Sequence, residues 1–496
     1  MSLGNFVKTI QNIMRGDSGI SGDAQRIEQM TWILFLKVYD VKESDWEDGD
    51  DDYKSIIPEK LRWRNWAVDK KDGKSDGKAL TGEGLLKFVN KELFPTLKNL
   101  TVTDSTSMKK AVVKEVFSEV NQYMKDGTLL RKVINEIEDI KIENAKDFHM
   151  LGNIYETILK GLQSAGNAGE FYTPRAVTDF IIGRIKPDFG ETVADFACGT
   201  GGFLTSTLNY LNRKGINSGE QRELYNNKSI FGIEKKPLPY LLAITNMLIH
   251  DIDTPQIYHG NALNENVTEY TEEEKFSIIV MNPPYGGTED SNIKNNFPAD
   301  LRGSETADLF LALILYRLKN NGRAAVIIPD GFLFGTDGAK LEIKKRLLNQ
   351  FNLHTIIRLP QSVFAPYTSI TTNILFFDKT KKSSGVWFYR VDIPPTYKHF
   401  SKTKPMLIEH FDDYVEWWDK RQEIKDADSE TFKAKFYSVD ELVGRNYDFD
   451  LCGYPSTEEE ILSPFDTIQN FHQRRDALNA KIDSQLEKIS ELLQNT

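Results

Sequence analysis

The sequence predicts an α/β protein in which a doubly wound, mainly parallel sheet follows an all-α domain and precedes a mixed region ending in a helix. Residues 1–145 place apolar side chains at a helical period between charged loops. From about residue 151, short apolar segments alternate with helical patterns, as in parallel sheets covered on both faces. Near residues 371–391, two strand-like segments have no crossover helix between them, which predicts an antiparallel hairpin at the sheet edge. The predicted domains are 1–145, 146–395 and 396–496.

Composition limits the functions that the chain can have. Its 496 residues exceed one small module, and 40% hydrophobic with 27% charged residues is ordinary for soluble proteins. The 73 acidic and 62 basic residues give a net charge of −11, so the chain lacks the basic excess of non-specific nucleic-acid binders. If DNA is the substrate, something else should help to hold it.

Cysteine usage and the lack of long apolar runs bear on location. Cys198 and Cys452 form no CxxC pair, which fits a reducing compartment and offers no zinc framework. No run reaches the roughly 18 apolar residues of a membrane span, and the first residues lack a secretory apolar core. We therefore expect a cytoplasmic protein with no membrane partner and no metal site.

The first domain contains a well-marked helix and an acidic stretch. Met30, Ile33 and Leu34 recur near a 3.6-residue period within residues 29–41. The acidic stretch that follows, Glu43 to Asp52, is interpreted as a solvated loop between helices, and no site is assigned to it.

The second domain alternates strands and helices. Helices are predicted at Pro239 to His250 and Ala307 to Lys319. The strands, in chain order, are predicted at Thr192 to Phe196, Ser229 to Ile233, Ile257 to Gly260, Ser277 to Met281, Ala324 to Ile328, His354 to Leu359, Thr371 to Phe377 and Val386 to Val391, the last two forming the hairpin.

The terminal helix carries one apolar stripe, formed by Leu478, Ile482, Leu486, Ile489 and Leu493 at spacings of 4, 4, 3 and 4. An apolar stripe at a chain end needs something to pack against. Packing on its own domain and binding to another subunit both satisfy the pattern.

A glycine-rich segment, Asp195 to Phe203, follows the first predicted strand and opens a helix. Glycines at this position let a ligand approach the backbone, and open α/β sheets bind ligands at the carboxyl ends of their strands. The segment has neither the lysine of a P-loop nor the G-x-G-x-x-G spacing of nicotinamide folds. Glu234 ends the next strand, where a carboxylate can accept hydrogen bonds from the hydroxyls of a ribose.

The sharpest motif is Asn282-Pro283-Pro284-Tyr285 after an apolar strand. Two prolines fix the backbone and supply no N–H. The resulting rigid turn, residues 282–285, is called the elbow below. It can present the Asn282 amide oxygen and the Pro283 carbonyl to one planar NH₂ group, while the Tyr285 ring stacks on the heterocycle that bears this group.

This grip suits an exocyclic amine such as adenine N6. Its lone pair is delocalised into the ring, and two acceptors on its hydrogens favour the pyramidal geometry that restores the lone pair. Asparagine is no general base near neutral pH, so we infer direct attack on an electrophilic methyl group, with positioning as the main catalytic contribution and proton loss to water. The base must leave the duplex to reach such a pocket.

These motifs resemble those of S-adenosylmethionine-dependent DNA adenine-N6 methyltransferases, specifically the modification (M) subunits of type I restriction-modification systems. The resemblance extends over nearly the whole chain. Besides the two loops above it includes the segments 24–30, 169–175, 322–329, 358–360 and 372–377. It implies a Rossmann-like methyltransferase sheet and S-adenosylmethionine as the cofactor.

The resemblance also implies roles for individual residues. The methionine part of the cofactor would contact Glu170, Phe171, Tyr172, Thr173 and Pro174. The glycine loop, represented by Asp195, Gly199, Thr200, Gly201 and Gly202, would lie under the cofactor, with Glu234 on its ribose and Asn261 on its adenine amine. The target adenine would be gripped by the catalytic set Asn282, Pro283, Pro284 and Tyr285. Phe196, Glu170 and Asn261 stand where the family often has Pro, Gln and Asp.

The implied partners are double-stranded DNA, a specificity (S) subunit, a restriction (R) subunit and a second M subunit. No Walker A motif occurs in the sequence, so the family's motor would lie in another subunit. An alternative is a protein glutamine-N5 methyltransferase, because a glutamine amide is also planar. A scaffold subunit without catalysis is disfavoured by the intact motifs, and cytosine C5 methylation is excluded because no Pro-Cys nucleophile exists.

Overall fold

The computed structural model describes residues 3–68, 70–71, 76–77, 79–103, 106–142, 145–162, 172–336, 338–427, 430–454 and 464–494. The chain divides into two compact units, Met1–Gly453 and Tyr454–Thr496. Among the described residues, no helix combines the length and the apolar character that crossing a membrane requires.

The amino-terminal part of the first unit is helical. Its helices are α1 (Leu3–Arg15), α2 (Asp23–Gly49), α3 (Trp63–Trp66), α4 (Gly82–Phe88), α5 (Phe94–Lys98), α6 (Met108–Glu119), α7 (Gly127–Glu138) and α8 (Ala145–Leu162). A two-residue ribbon, β1 (Lys70–Lys71) with β2 (Asp76–Gly77), and a π-helical turn at Val89–Leu93 complete this part. Helix α2 is its centre, because Trp32, Phe35 and Tyr39 are all fully buried among the other helices.

The predicted acidic loop is wrong over most of its length, because α2 continues to Gly49. The apolar period extends into the acidic stretch: Trp46 is buried and packs edge-on against Tyr39, with 5.5 Å between ring centroids. Glu43 is also buried and accepts a hydrogen bond of 3.0 Å from the Tyr53 hydroxyl. The many charged residues of this stretch led to the prediction of a loop, although one face of the helix is buried.

The rest of the first unit is built on a ten-stranded sheet. Its strands are β3 (Val193–Asp195), β4 (Ile230–Glu234), β5 (Ile257–His259), β6 (Phe276–Met281), β7 (Leu318–Pro329), β8 (Asn352–Arg358), β9 (Thr372–Asp378), β10 (Gly385–Arg390), β11 (Ile424–Lys425) and β12 (Phe432–Ser438). The spatial order is β11-β12-β10-β8-β9-β7-β6-β3-β4-β5. The pairs from β5 to β7 are all parallel, as predicted for a doubly wound sheet.

Helices cover the sheet and connect its strands. They are α9 (Arg175–Ile185), α10 (Gly202–Lys214), α11 (Gly219–Lys228), α12 (Pro237–Ile249), α13 (Ser291–Lys294), α14 (Thr306–Arg317), α15 (Asp330–Phe334), α16 (Gly338–Asn349), α17 (Asp412–Asp419) and α18 (Val439–Gly444). Short 3₁₀ turns lie at Glu59–Leu61, Glu272–Glu274, Ala299–Leu301 and Ile408–Phe411. The eight predicted strands and the two predicted helices are confirmed, with boundaries shifted by a few residues, most of all at the start of β7.

The predicted hairpin between β9 and β10 is wrong, although antiparallel strands do occur. Strand β9 lies between β7 and β8 and runs antiparallel to both, whereas β10 runs parallel to β8. Residues Thr372 to Phe377 are buried without interruption. An edge position would leave one row of their backbone groups unpaired, so a strand that is apolar on both faces gains most from two neighbours.

The sheet continues past the predicted boundary at residue 395, because β12 pairs antiparallel with β10 and β11 with β12. The division of the chain into three domains remains a prediction.

The second unit contains helix α19 (Pro464–Gln494). Within it, Leu478, Ile482 and Leu486 of the predicted stripe are exposed. The side chains of Ile489 and Leu493 lie outside the described residues.

Candidate active site

Many of the predicted site residues lie at the carboxyl end of β3, where successive strands begin to be added on the other side of the sheet. Strand β3 lies between β4 and β6, so the loops that leave their carboxyl ends diverge and open a crevice. An open cavity occupies this crevice, with about 840 Å³ of empty space that includes adjoining solvent. The predicted residues that line it are Thr173, Asp195, Gly199, Gly202, Glu234, Asn261, Asn282 and Pro284.

The glycine loop forms the floor of the cavity. Gly199 and Gly201 have positive φ angles of 55° and 77°, which residues other than glycine rarely adopt. A Cβ atom on Gly201 would also lie 3.2 Å from Cε of Met247. The Gly201 N–H donates to the Cys198 carbonyl at 2.8 Å, and α10 begins at the next residue. Thr200 and Gly201 belong to the loop but do not line the cavity, and the hydrogen bond of Gly201 fixes the turn of the loop.

Glu234 ties the second strand to this loop. One carboxylate oxygen accepts the Gly199 N–H at 2.9 Å and the other accepts the Lys236 N–H at 2.7 Å. The side chain is buried, and this burial raises the pKa of Glu234 above its ordinary value. Each oxygen has a further lone pair, so a ligand with two neighbouring hydroxyls can be held without breaking these bonds.

Asp195 is a second buried carboxyl group at the end of β3. Its Oδ1 accepts the Ala197 N–H at 3.1 Å. Burial, together with the charge of Glu234, raises the pKa of Asp195 to about 8. Asp195 and Glu234 are thus two buried carboxyl groups that line the same cavity.

We expect the stability of the ligand-free protein to fall with rising pH because of Asp195. Its folded pKa of about 8 lies above its ordinary 3.8, so folding takes up a proton between these values. The contribution of Asp195 to the free energy of unfolding should fall by up to about 1.4 kcal/mol per pH unit as pH rises from about 4 to about 8. Asp195→Asn should remove this slope in denaturant titrations. Equal slopes for both proteins would contradict the assignment.

Asn282 lies directly after β6, with both ends of its amide engaged. Its Nδ2 donates to Oγ1 of Thr173 at 3.1 Å, and the Tyr285 hydroxyl donates to its Oδ1. The Tyr285 ring meets Phe364 edge-on, with 6.4 Å between centroids. Pro283 is buried and Pro284 is exposed, so the elbow is anchored on one side only. The Tyr285 hydroxyl thus takes one of the two lone pairs of the Asn282 amide oxygen.

The segment that precedes α9 is anchored to α8. Glu156 accepts the Tyr172 hydroxyl at 2.8 Å and Nε of Arg175 at 2.9 Å. Tyr172 is buried and, like Pro174 at the start of α9, does not line the cavity, whereas Thr173 between them does. Glu170 and Phe171 lie outside the described residues.

Asn261 reaches the cavity from the turn after β5. Its Oδ1 accepts the Leu263 N–H at 3.1 Å, which fixes the orientation of the amide toward the cavity. Strands β4 and β5 are adjacent, so Asn261 and Glu234 line the same cavity.

Sequence reasoning missed a buried asparagine behind the glycine loop. Nδ2 of Asn246, on α12, donates to the Thr200 carbonyl at 3.1 Å and to Oγ1 of Thr205 at 3.0 Å. A single amide within the otherwise apolar α12 is the pattern that could have revealed it, because a buried polar group requires partners. Four further residues line the cavity that were not among the predicted site residues: Phe196, Phe310, Lys235 and Glu289.

We expect Asn246→Ala to weaken cofactor binding and to lower the melting temperature. The change leaves a buried carbonyl and a buried hydroxyl without their donor, which costs about 1–3 kcal/mol of folding free energy. Asn209→Ala, an exposed site on the neighbouring α10, is the matched control. Thermal unfolding with and without cofactor measures both effects. A lower melting temperature with unchanged cofactor affinity would contradict a role in positioning the loop.

Comparison with known proteins identifies the family of the chain. The N-6 DNA Methylase family model matches residues 146–461, which is more than half of the chain, and the HsdM N-terminal domain model matches residues 3–137. The EcoEI methylase subunit of Escherichia coli, a type I restriction enzyme subunit, is 46% identical over 490 residues, covering 99% of this chain and 98% of its own.

Solved structures give the same result. The modification subunit of a putative type I restriction enzyme from Vibrio vulnificus YJ016 is 38% identical, with a TM-score of 0.75 and coverage of 89% of this chain and 92% of its own. A chain from a study of type I R-M complex assembly is 33% identical, with a TM-score of 0.79 and coverage of 100% and 98%. The chain therefore belongs to the methylase subunits of type I restriction enzymes, a family of adenine-specific N-6 DNA methyltransferases.

Proposed function

We propose that this chain transfers a methyl group from S-adenosylmethionine to N6 of an adenine that has been flipped out of double-stranded DNA, as the M subunit of a type I complex. The observation that carries the proposal is the shared cavity. It brings the acceptor pair on Glu234 and the amide of Asn282 to opposite walls of one crevice, with the glycine loop between them.

The residues present fit S-adenosylmethionine. Glu234 can accept both ribose hydroxyls, Asn261 can accept the adenine amine, and the glycine loop leaves room for the chain of the ligand. Thr173 lies on the side of the cavity nearest Asn282, where the methionine part is proposed to sit with Glu170 to Pro174 around it. When bound, the cofactor supplies an electrophilic methyl group.

Asn282 and Pro283 hold the target amine. The Asn282 amide oxygen already accepts the Tyr285 hydroxyl, and its second lone pair can accept one hydrogen of the target amine. The Tyr285 ring can stack on the base, with Phe364 against its edge. The bond from Asn282 to Thr173 fixes the amide so that its oxygen and not its nitrogen faces the base.

The catalytic contribution of these residues is positional and electrostatic. Two acceptors on the amine hydrogens increase the electron density available on nitrogen, and the rigid elbow holds that nitrogen in line with the methyl group. The Asn282 amide takes up no proton, so the methylated amine loses its extra proton to water.

The remaining regions are proposed to serve assembly. The helical part at residues 1–145 would contact DNA and the other subunits, and the region 396–496 with α19 would dock on S or R, with a second M subunit in the full complex. A net charge of −11 is consistent with a subunit whose DNA is held largely by its partners. Free, buried Cys198 and Cys452 are consistent with action in the cytoplasm.

The proposal is tested with labelled S-adenosylmethionine. The purified chain should bind the cofactor alone and should methylate adenine in duplex DNA efficiently only when its S subunit is present. Transfer of label to a glutamine-containing protein, and not to DNA, would show that the glutamine-N5 alternative is correct.

A further inference from the structure

A basic turn stands out against the acidity of the whole chain. Residues 393–408 contain three lysines and no acidic residue, although 73 of the 496 residues in the chain are acidic. We define the basic turn as residues 398–404. Lys398, His399, Lys402 and Lys404 are all exposed.

The basic turn lies at the catalytic edge of the sheet. Strand β10 is parallel to β8, and through β9 and β7 both are parallel to β6, so the carboxyl ends of all three strands share one edge. The chain leaves β10 at this edge, where the Val391 N–H donates to the Arg358 carbonyl at 2.9 Å.

One hydrogen bond connects the basic turn to the wall of the base pocket. The Phe400 N–H donates to Oγ of Ser362 at 2.8 Å. Ser362 belongs to the β8–β9 connection, and Phe364 of the same connection contacts the Tyr285 ring. The β8–β9 connection therefore contacts both the basic turn, through Ser362, and the proposed adenine-binding residue Tyr285, through Phe364.

The turn is preformed. Phe400 is buried and packs against the rings of Tyr397 and His410, with centroids 5.7 Å and 5.2 Å away. The backbone groups of Ser401 and Lys404 exchange hydrogen bonds of 2.9 Å and 3.1 Å, which closes a tight turn with Lys402 at its tip. A fixed backbone lowers the conformational entropy that is lost when the lysines bind a ligand.

We propose that the basic turn binds backbone phosphates of the DNA beside the flipped adenine. This inference rests on the proposed function. A chain with a net charge of −11 repels DNA as a whole, so a local positive surface at the catalytic edge is where attraction is needed to hold the strand while the base is out of the stack. Lysines bind phosphate as point charges and carry no sequence information, which leaves recognition to another subunit.

The test measures DNA affinity of the assembled complex with its S subunit across a range of salt concentrations. Each lost phosphate contact reduces the slope of log affinity against log salt by about 0.9. The double variant Lys398→Gln with Lys404→Gln should reduce the slope by about 1.8, weaken DNA binding most at low salt, and leave cofactor affinity unchanged.

A matched control removes the same charge elsewhere. Lys381 and Lys382 are exposed in the connection that enters β10 from the opposite edge of the sheet, and Lys381→Gln with Lys382→Gln should leave the slope unchanged. An unchanged slope in the Lys398/Lys404 variant would overturn the inference. So would loss of S-subunit binding in that variant, since the turn would then be a protein contact. If the unaltered complex methylates no DNA, the proposed function itself fails.

Discussion

Asn282→Ala should reduce methyl transfer to adenine by at least about 100-fold, because catalysis here depends on positioning and on acceptors aimed at one amine, and removing a single such group costs on the order of 10²–10³ in rate. The side chain bonds to Thr173 and Tyr285 but makes no bond to Glu234 or to the glycine loop. Cofactor affinity should therefore be retained. Single-turnover transfer of labelled methyl and calorimetric titration of the cofactor separate the two quantities.

Thr173→Val is the informative companion to this change. It keeps the shape of the side chain and removes the acceptor of the Asn282 Nδ2 hydrogen bond. We expect a smaller loss of rate than in Asn282→Ala, because the amide remains present and loses only its fixed orientation. If Asn282→Ala retained activity, the assigned role of the Asn-Pro-Pro-Tyr elbow would be wrong.

Glu234→Gln should weaken cofactor binding by about 100-fold or more. A hydrogen bond to a charged group contributes about 1.5–3 kcal/mol, and the carboxylate offers one oxygen to each ribose hydroxyl, whereas the amide offers one oxygen and one donor. The amide also places an NH₂ group opposite a backbone N–H, either of Gly199 or of Lys236. Titration calorimetry with S-adenosylmethionine and with its demethylated product measures the loss.

Glu289→Gln provides the matched control for Glu234→Gln. Glu289 also lines the cavity, but its partner is the exposed Lys235, whose Nζ lies 3.6 Å from the carboxylate. Because Lys235 is exposed and the two charged atoms are 3.6 Å apart, this ion pair contributes little, so the control should bind the cofactor nearly as well as the unaltered protein. Equal losses in both variants would show that charge in the cavity, and not the contact to ribose, governs affinity.

Much of the sheet could be predicted because its strands are short, apolar and separated by helices. That pattern depends on local periodicity and burial, which the sequence carries directly. The position of β9 could not be predicted in the same way, since its neighbours are chosen by long-range pairing with β7 and β8. The extension of α2 into the acidic stretch was missed because Trp46 is one apolar residue among many charged ones, and only its contacts with Tyr39 and Tyr53 show its burial.

The sequence by itself determined the chemistry: a glycine loop after one strand, an acid after the next and an Asn-Pro-Pro-Tyr elbow after a third, with positions at strand ends that implied a common edge. Only the tertiary structure decided how these groups are held. Asn246 supports the glycine loop from α12, and Thr173, which precedes α9, accepts the Asn282 amide. Both contacts join residues whose side-chain directions depend on packing between elements, which no local pattern encodes.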